Sequence, residues 1–230
     1  MRDLDHIPPA FRRLRYVAVC LGWVAMIALC GVPAFGHEVY LMNSNHTDYN
    51  WNATAAEYDA AMLAELDYYL QQIADQQITD TAGNDPEEQA RYTPDNWWWM
   101  YLYEQNRSPE QFAALIEAVR SGHITVPLNP FVTLYGAMPT EAVIRAGYYP
   151  GRIGRKYDIE FPLAEAVENR TSPWGLASIW AGSAVEYTWK GVCGCVDEAP
   201  DRIDDELFIW QGPDDKTLLF KWYNLLGSNQ

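Results

Sequence analysis

His46 and Asp48 stand two residues apart, and Trp51 follows three residues later. An imidazole nitrogen and a carboxylate oxygen are donors that a divalent cation such as zinc accepts. An indole offers a flat apolar face on which a sugar ring can rest. The apolar run Val39-Tyr40-Leu41-Met42 comes just before and reads as a short buried strand. The triplet therefore falls past a strand's carboxyl end, where side chains 46 and 48 can turn toward one point. The plainer alternative is a surface His and Asp in a turn, with Trp51 in the core.

The elements that must position these residues can be read in order. Thr54 with Glu57 three residues on is a capping box and opens a helix over about 55–76, with Tyr58, Met62, Leu66, Tyr69 and Ile73 on its apolar face. Residues 78–91 are a polar loop. Thr93-Pro94-Asp95 starts a helix carrying Trp97, Trp98 and Trp99, of which two pack inward and one lines a cleft. Ser108-Pro109-Glu110-Gln111 opens another helix, which Gly122 ends.

His123–Leu128 is a strand, with His123 structural at its start. Residues 139–147 are a helix, followed by a loop holding Gly147, Pro150, Gly151 and Gly154. Phe161–Val167 is an apolar strand interrupted by Glu165 and running on to Glu168. Ser172-Pro173 caps a helix, Val185–Trp189 is a strand, and Leu207–Trp210 with Leu218–Trp222 flank a hairpin turn at Gly212-Pro213-Asp214-Asp215. Strands separated by helices indicate an α/β domain with a parallel sheet or barrel. In such folds ligand sites gather at the carboxyl ends of the strands. His46, Asp48 and Glu168 all occupy that end.

Composition narrows the partners. The 230 residues carry a net charge of −15, which argues against nucleic acid and anionic membrane surfaces. Arg12, Arg13 and Arg15 precede an uncharged apolar run, Tyr16–Phe35, and Ala34-Phe35-Gly36 fits a cleavage site. Residues 1–36 thus read as a signal peptide, directing residues 37–230 to a secreted or periplasmic location. The run is also long enough to be an uncleaved anchor, the one route to a membrane. Removing 1–36 leaves 12 basic against 29 acidic residues, a net −17. Cys193 and Cys195 would be the cysteines left, open to a tight disulfide or to two unlinked thiols. Asn45-His46-Thr47, Asn52-Ala53-Thr54 and Asn169-Arg170-Thr171 are glycosylation sequons.

Four segments together resemble the amino-terminal catalytic domain of glycoside hydrolase family 38, the α-mannosidases. They are His46-Thr47-Asp48 with Trp51 and its helix; Ser108–Thr125; Glu168–Trp189; and Leu207–Trp222. The resemblance spans roughly residues 38–225. It implies a distorted (β/α) barrel of the glycoside hydrolase/deacetylase type, incomplete here, a zinc ion, and retaining hydrolysis of α-mannosides. On that basis His46 and Asp48 hold the metal, Trp51 stacks on the sugar, and Glu168 is third ligand and nucleophile.

The chain departs from the family pattern in three places. Ser44 stands where the motif's first His would be, and Glu168 takes the place of an Asp. The family's acid/base Asp and last zinc-binding His lie further downstream than Gln230. A partial catalytic domain, truncated or divergent, is therefore expected. The alternative is a catalytically inactive carbohydrate-binding relative. A polysaccharide deacetylase would need a further pair of His ligands, and the chain's four His do not supply a His-x-x-x-His pair.

Overall fold

The computed structural model describes residue 43 and residues 45–79, 89–131, 133–166, 171–192 and 207–224. All of these fall within the compact unit Met42–Gln230. The leader, the strand expected at 39–42, Ser44, Glu168, Cys193 and Cys195 lie outside the described residues. Among the described residues no helix is long and apolar enough to cross a membrane.

Local sequence signals set most of the helices. α1 (Ala55–Thr79) begins where the Thr54 backbone N–H donates to Glu57 at 2.8 Å and the Glu57 N–H donates back to Thr54 Oγ1 at 3.4 Å. α2 (Trp98–Asn106) begins later than its Pro-Asp signal suggests, after Asn96 Oδ1 has accepted the Trp98 N–H. α3 (Pro109–Arg120) carries the full Ser108–Gln111 capping box. Gly122 follows it with φ +76°, a left-handed conformation suited to glycine.

The expectation for residues 147–154 is overturned. The loop expected around Gly147–Gly154 is helical: α4 (Thr140–Ala146) and α5 (Tyr148–Tyr157) follow each other with a break at Gly147. Pro150 lies in the first turn of α5, where a missing N–H costs nothing. Gly154 is needed on packing grounds, because a Cβ there would meet the Ile159 carbonyl oxygen at 2.9 Å. Asp158, with φ +54°, ends the helix in the left-handed region.

The sheet runs β1 (Leu163–Glu165), β2 (Tyr187–Val192), β4 (Thr217–Asn224), β3 (Leu207–Gln211) in spatial order. β1 and β2 pair in parallel, as do β2 and β4, while β3 returns antiparallel to β4 as the expected hairpin. α6 (Gly175–Gly182) connects β1 to β2.

Extended segments continue this order beyond β1. The Leu128 N–H donates to the Leu163 carbonyl, the Thr125 N–H to Tyr92, and the Thr93 N–H to Asn43. The strand expected over 123–128 pairs only through a single bridge, Ile124 to Tyr92. Pro127, which has no N–H, interrupts any longer ladder. The described residues therefore form an α/β arrangement around a four-stranded sheet, with the amino-terminal segments lined up alongside.

The helices bury their apolar faces on one another and on this layer. Met62, Leu66 and Ile73 of α1 join Trp99, Met100, Leu102 and Tyr103 of α2 and Phe112, Leu115 and Ile116 of α3. Leu115 is wholly buried at 0 % exposure. Leu115→Ala is expected to cost about 2–5 kcal/mol through lost burial and a residual cavity. It should lower the denaturant midpoint with little change in slope; an unchanged midpoint would show that this helical layer is not the core.

Candidate metal and carbohydrate site

Residues 45–51 run just past the segment paired through Asn43, and their exposure alternates. Asn45, Thr47 and Tyr49 are half-buried, while His46, Asp48 and Asn50 are exposed. That alternation is the period of extended chain, so 46 and 48 share the outward side. Each inward residue is fastened. Asn45 Nδ2 donates to Glu65 of α1 at 3.0 Å, and the buried Tyr92 hydroxyl donates to Asn45 Oδ1. Thr47 donates to Asp95 through its backbone N–H at 2.7 Å and its hydroxyl at 3.2 Å. The Tyr49 hydroxyl donates to Asp59 at 2.8 Å. Asn50 then turns the chain at φ +65°, which Asn tolerates, and the Trp51 N–H closes onto the Asp48 carbonyl at 3.0 Å.

On the outward side His46 Nε2 lies 3.3 Å from Asp48 Oδ1, with the side chains 37 % and 53 % exposed. Zinc bonds of roughly 2.0–2.1 Å at a tetrahedral angle separate neighbouring ligand atoms by about 3.3 Å. The pair thus fits two positions of a zinc site, and it is equally an ordinary ion pair without one. Among the described residues no group of three His, Cys, Asp or Glu side chains gathers around one point. Glu168, expected as the third ligand, lies outside the described residues.

Trp51 is 82 % exposed rather than in the core, so its ring is open to a ligand. It lines a shallow depression of about 300 Å³ with Thr47, Asp48, Tyr49 and Phe131. Aromatic packing stiffens this wall from behind: Phe131 lies 5.2 Å from Tyr49 and 5.5 Å from Trp98, ring centre to ring centre. The three consecutive tryptophans separate as expected for a helix start. Trp99 is buried, Trp97 stacks on Tyr149 at 4.9 Å, and Trp98 backs the depression through Phe131. A larger cavity of about 430 Å³, lined by Arg120, Thr125, Asp158 and Glu160 among others, lies toward the segments that enter the strands, away from His46 and Asp48.

Beneath the loop lies a layer of buried polar residues that the sequence reading did not single out. Asp95, Asn129 and Glu165 each stand at or just past the carboxyl end of successive extended segments, and all are buried. Besides Thr47, Asp95 accepts the Trp99 indole N–H at 3.0 Å and Asn96 Nδ2 at 2.7 Å. Burial nevertheless outweighs these hydrogen bonds and pushes the Asp95 carboxyl up to about 6. Asn129 Nδ2 donates to the Asp95 carbonyl at 3.0 Å, and its Oδ1 accepts the Glu165 N–H at 2.8 Å. Both Glu165 carboxylate oxygens are buried, and among the described residues neither meets a donor at full hydrogen-bond geometry. Burial raises that carboxyl well above the usual range, the nearby Asp95 charge adds to the rise, and the Trp189 indole opposes it. The signal was present in the sequence as an acid inside an apolar strand. His123, read as structural, is buried with Nδ1 3.0 Å from the Ala90 carbonyl oxygen.

No protein-family model matches this chain, nor does any curated protein sequence. Solved structures do resemble it. One is a glycosyl hydrolase family 38 protein from Enterococcus faecalis, at 15 % identity and a TM-score of 0.53 over 80 % of this chain. Another is an α-mannosidase from Enterococcus faecalis V583, at 18 % identity and a TM-score of 0.57 over 79 %. This chain spans 18 % and 19 % of their lengths. At these identities the likeness is one of fold: the described α/β arrangement matches a portion of those two proteins.

Proposed function

We propose that this chain carries the amino-terminal, metal-binding portion of a glycoside hydrolase acting on α-mannosides. The observation that carries the reading is the 45–51 loop. It presents His46 and Asp48 together on one outward side, 3.3 Å apart, beside the exposed Trp51. The fold likeness to a family 38 protein and to an α-mannosidase supports it. His46 and Asp48 would hold a zinc ion, with Glu168 as a third ligand. When bound, the ion would offer Lewis-acid contact to vicinal sugar hydroxyls and favour the flattened sugar of the transition state.

The chain's own residues would supply the sugar-binding wall. Trp51 lies against the apolar face of the sugar, and Tyr49 and Phe131 complete the wall. Retaining hydrolysis also needs a nucleophilic carboxylate and an acid/base about 5 Å apart. Glu168 is proposed as the nucleophile, and the acid/base is not assigned to any residue of this chain. The ligand class is a mannosyl glycan, reached in a secreted or periplasmic location if residues 1–36 act as a signal peptide.

The test is zinc per chain together with release of an aryl α-mannoside. Zinc near one per chain together with binding of the mannoside supports the proposal, and turnover would in addition place an acid/base within this chain. Sugar binding without zinc would replace it with the carbohydrate-binding alternative, and binding of neither would end both. Trp51→Ala is expected to weaken mannoside binding roughly tenfold, the scale of one lost aromatic contact. Because Trp51 is exposed, stability should stay within about 0.5 kcal/mol. Calorimetric titration showing equal affinity in the two proteins would remove Trp51 from the site.

A further inference from the structure

We propose that Asp95 and Asn129 are positioning residues, holding the His46–Asp48 loop in fixed register with the carboxyl end of β1. The inference rests on the proposed metal-binding reading for its purpose, but its geometry stands apart from it. Hydrogen bonds form an unbroken relay across the ends of successive extended segments. Thr47 donates twice to the Asp95 carboxylate, Asn129 donates to the Asp95 carbonyl, and Glu165 donates its N–H to Asn129. The Asn129 carbonyl in turn accepts the Trp97 N–H at 2.9 Å, so the two segments grip each other from both sides.

Thr47 is the residue between the two outward side chains, so whatever holds Thr47 sets their spacing. Asp95 cannot move to accommodate a displaced loop, since the buried Trp99 indole and Asn96 also hold its Oδ1. At the other end of the relay, Glu165 precedes Glu168 by three residues in the sequence. The relay therefore ties the loop bearing the two proposed ligands to the strand that leads to the third.

The experiment is amide hydrogen exchange on the full chain, metal-free, comparing wild type with Asp95→Asn, Thr47→Val and Thr47→Ser. Asn in place of Asp95 can keep an oxygen toward Trp99 only by turning its NH₂ toward the Thr47 N–H, donor against donor. Asp95→Asn is expected to speed exchange in residues 45–51 about tenfold, the scale of one broken hydrogen bond, with α3 unchanged. Thr47→Val should speed it by a smaller factor, and Thr47→Ser should restore wild-type protection by returning the hydroxyl. In the pair Asp95→Asn plus Thr47→Val the effects should not simply add, because the two hydrogen bonds they cut, N–H to Oδ2 and hydroxyl to Oδ1, join the same two residues.

Wild-type exchange in this loop for either single variant, or loss of protection spread equally into α3, would overturn the proposal. Should Asp95→Asn not fold, Thr47→Val and its rescue by Ser still decide. A parallel zinc titration is expected to show roughly ten- to hundredfold weaker binding in Asp95→Asn. If wild type itself binds no zinc, the metal-site reading falls, and the exchange data alone judge the positioning role.

Discussion

Asp48→Ala and His46→Ala are each expected to lower zinc affinity roughly a hundredfold or more while leaving the fold intact, if the pair holds the metal as proposed. The loss is large because a metal site with few protein ligands cannot spare one, and the exposed carboxylate has no substitute among the described residues. The fold survives because both side chains stand on the outward side of the loop, 37 % and 53 % exposed, and the inward residues do the fastening. An exposed ion pair of this kind contributes less than about 1 kcal/mol, so melting temperatures of the metal-free proteins should nearly coincide. Zinc added to wild type should raise the melting temperature by mass action, and this shift should vanish in both variants. An undiminished shift in either variant would place the metal elsewhere.

The second large effect is on stability as a function of pH. Asp95 binds its proton more tightly folded than unfolded, about 6 against 3.8, because burial disfavours the charge. Its contribution is therefore complete below about pH 3.8 and is lost as the pH rises through about 6. Two pK units correspond to about 3 kcal/mol. Glu165 acts in the same direction, losing its contribution on deprotonation above its ordinary 4.5. Asp67 acts oppositely, since the Arg107 guanidinium, 2.6 Å away, holds its carboxyl below 3.8, and its contribution fades only in strong acid.

The metal-free chain should thus be more stable toward urea at pH 5 than at pH 7.5. Asp95→Asn should flatten that profile by about 1.4 kcal/mol, the part of the full effect that falls between pH 5 and 7.5. The net charge of −15 favours acid in both proteins, so the difference between the two profiles isolates Asp95. Parallel profiles would show that Asp95 is not buried as described.

Much of this was legible in the residues because the controlling interactions are local. Both capping boxes span four residues, and both form. The hairpin around Gly212-Pro213-Asp214-Asp215 closes as read. The outward pair at 46 and 48 follows from two-residue spacing. What was not legible depended on partners far along the chain. Gly154 looks like loop punctuation until the Ile159 carbonyl is seen against it, and Pro150 looks like a break until it falls in a helix's first turn. Asp95 reads as a helix-start residue. It is instead the buried acceptor for Thr47, 48 positions earlier, a pairing that no local pattern encodes. Asn129 likewise finds its partners 34 and 36 positions away.

The central claim, that His46 and Asp48 share a metal ion, meets its most direct test in zinc-edge X-ray absorption on the loaded protein. One zinc per chain, with nitrogen and oxygen neighbours at about 2.0–2.1 Å and an imidazole scattering pattern that disappears in His46→Ala, is the predicted result. A shell of sulfur at about 2.3 Å, pointing to Cys193 and Cys195, or an imidazole pattern unchanged by the substitution, would contradict it.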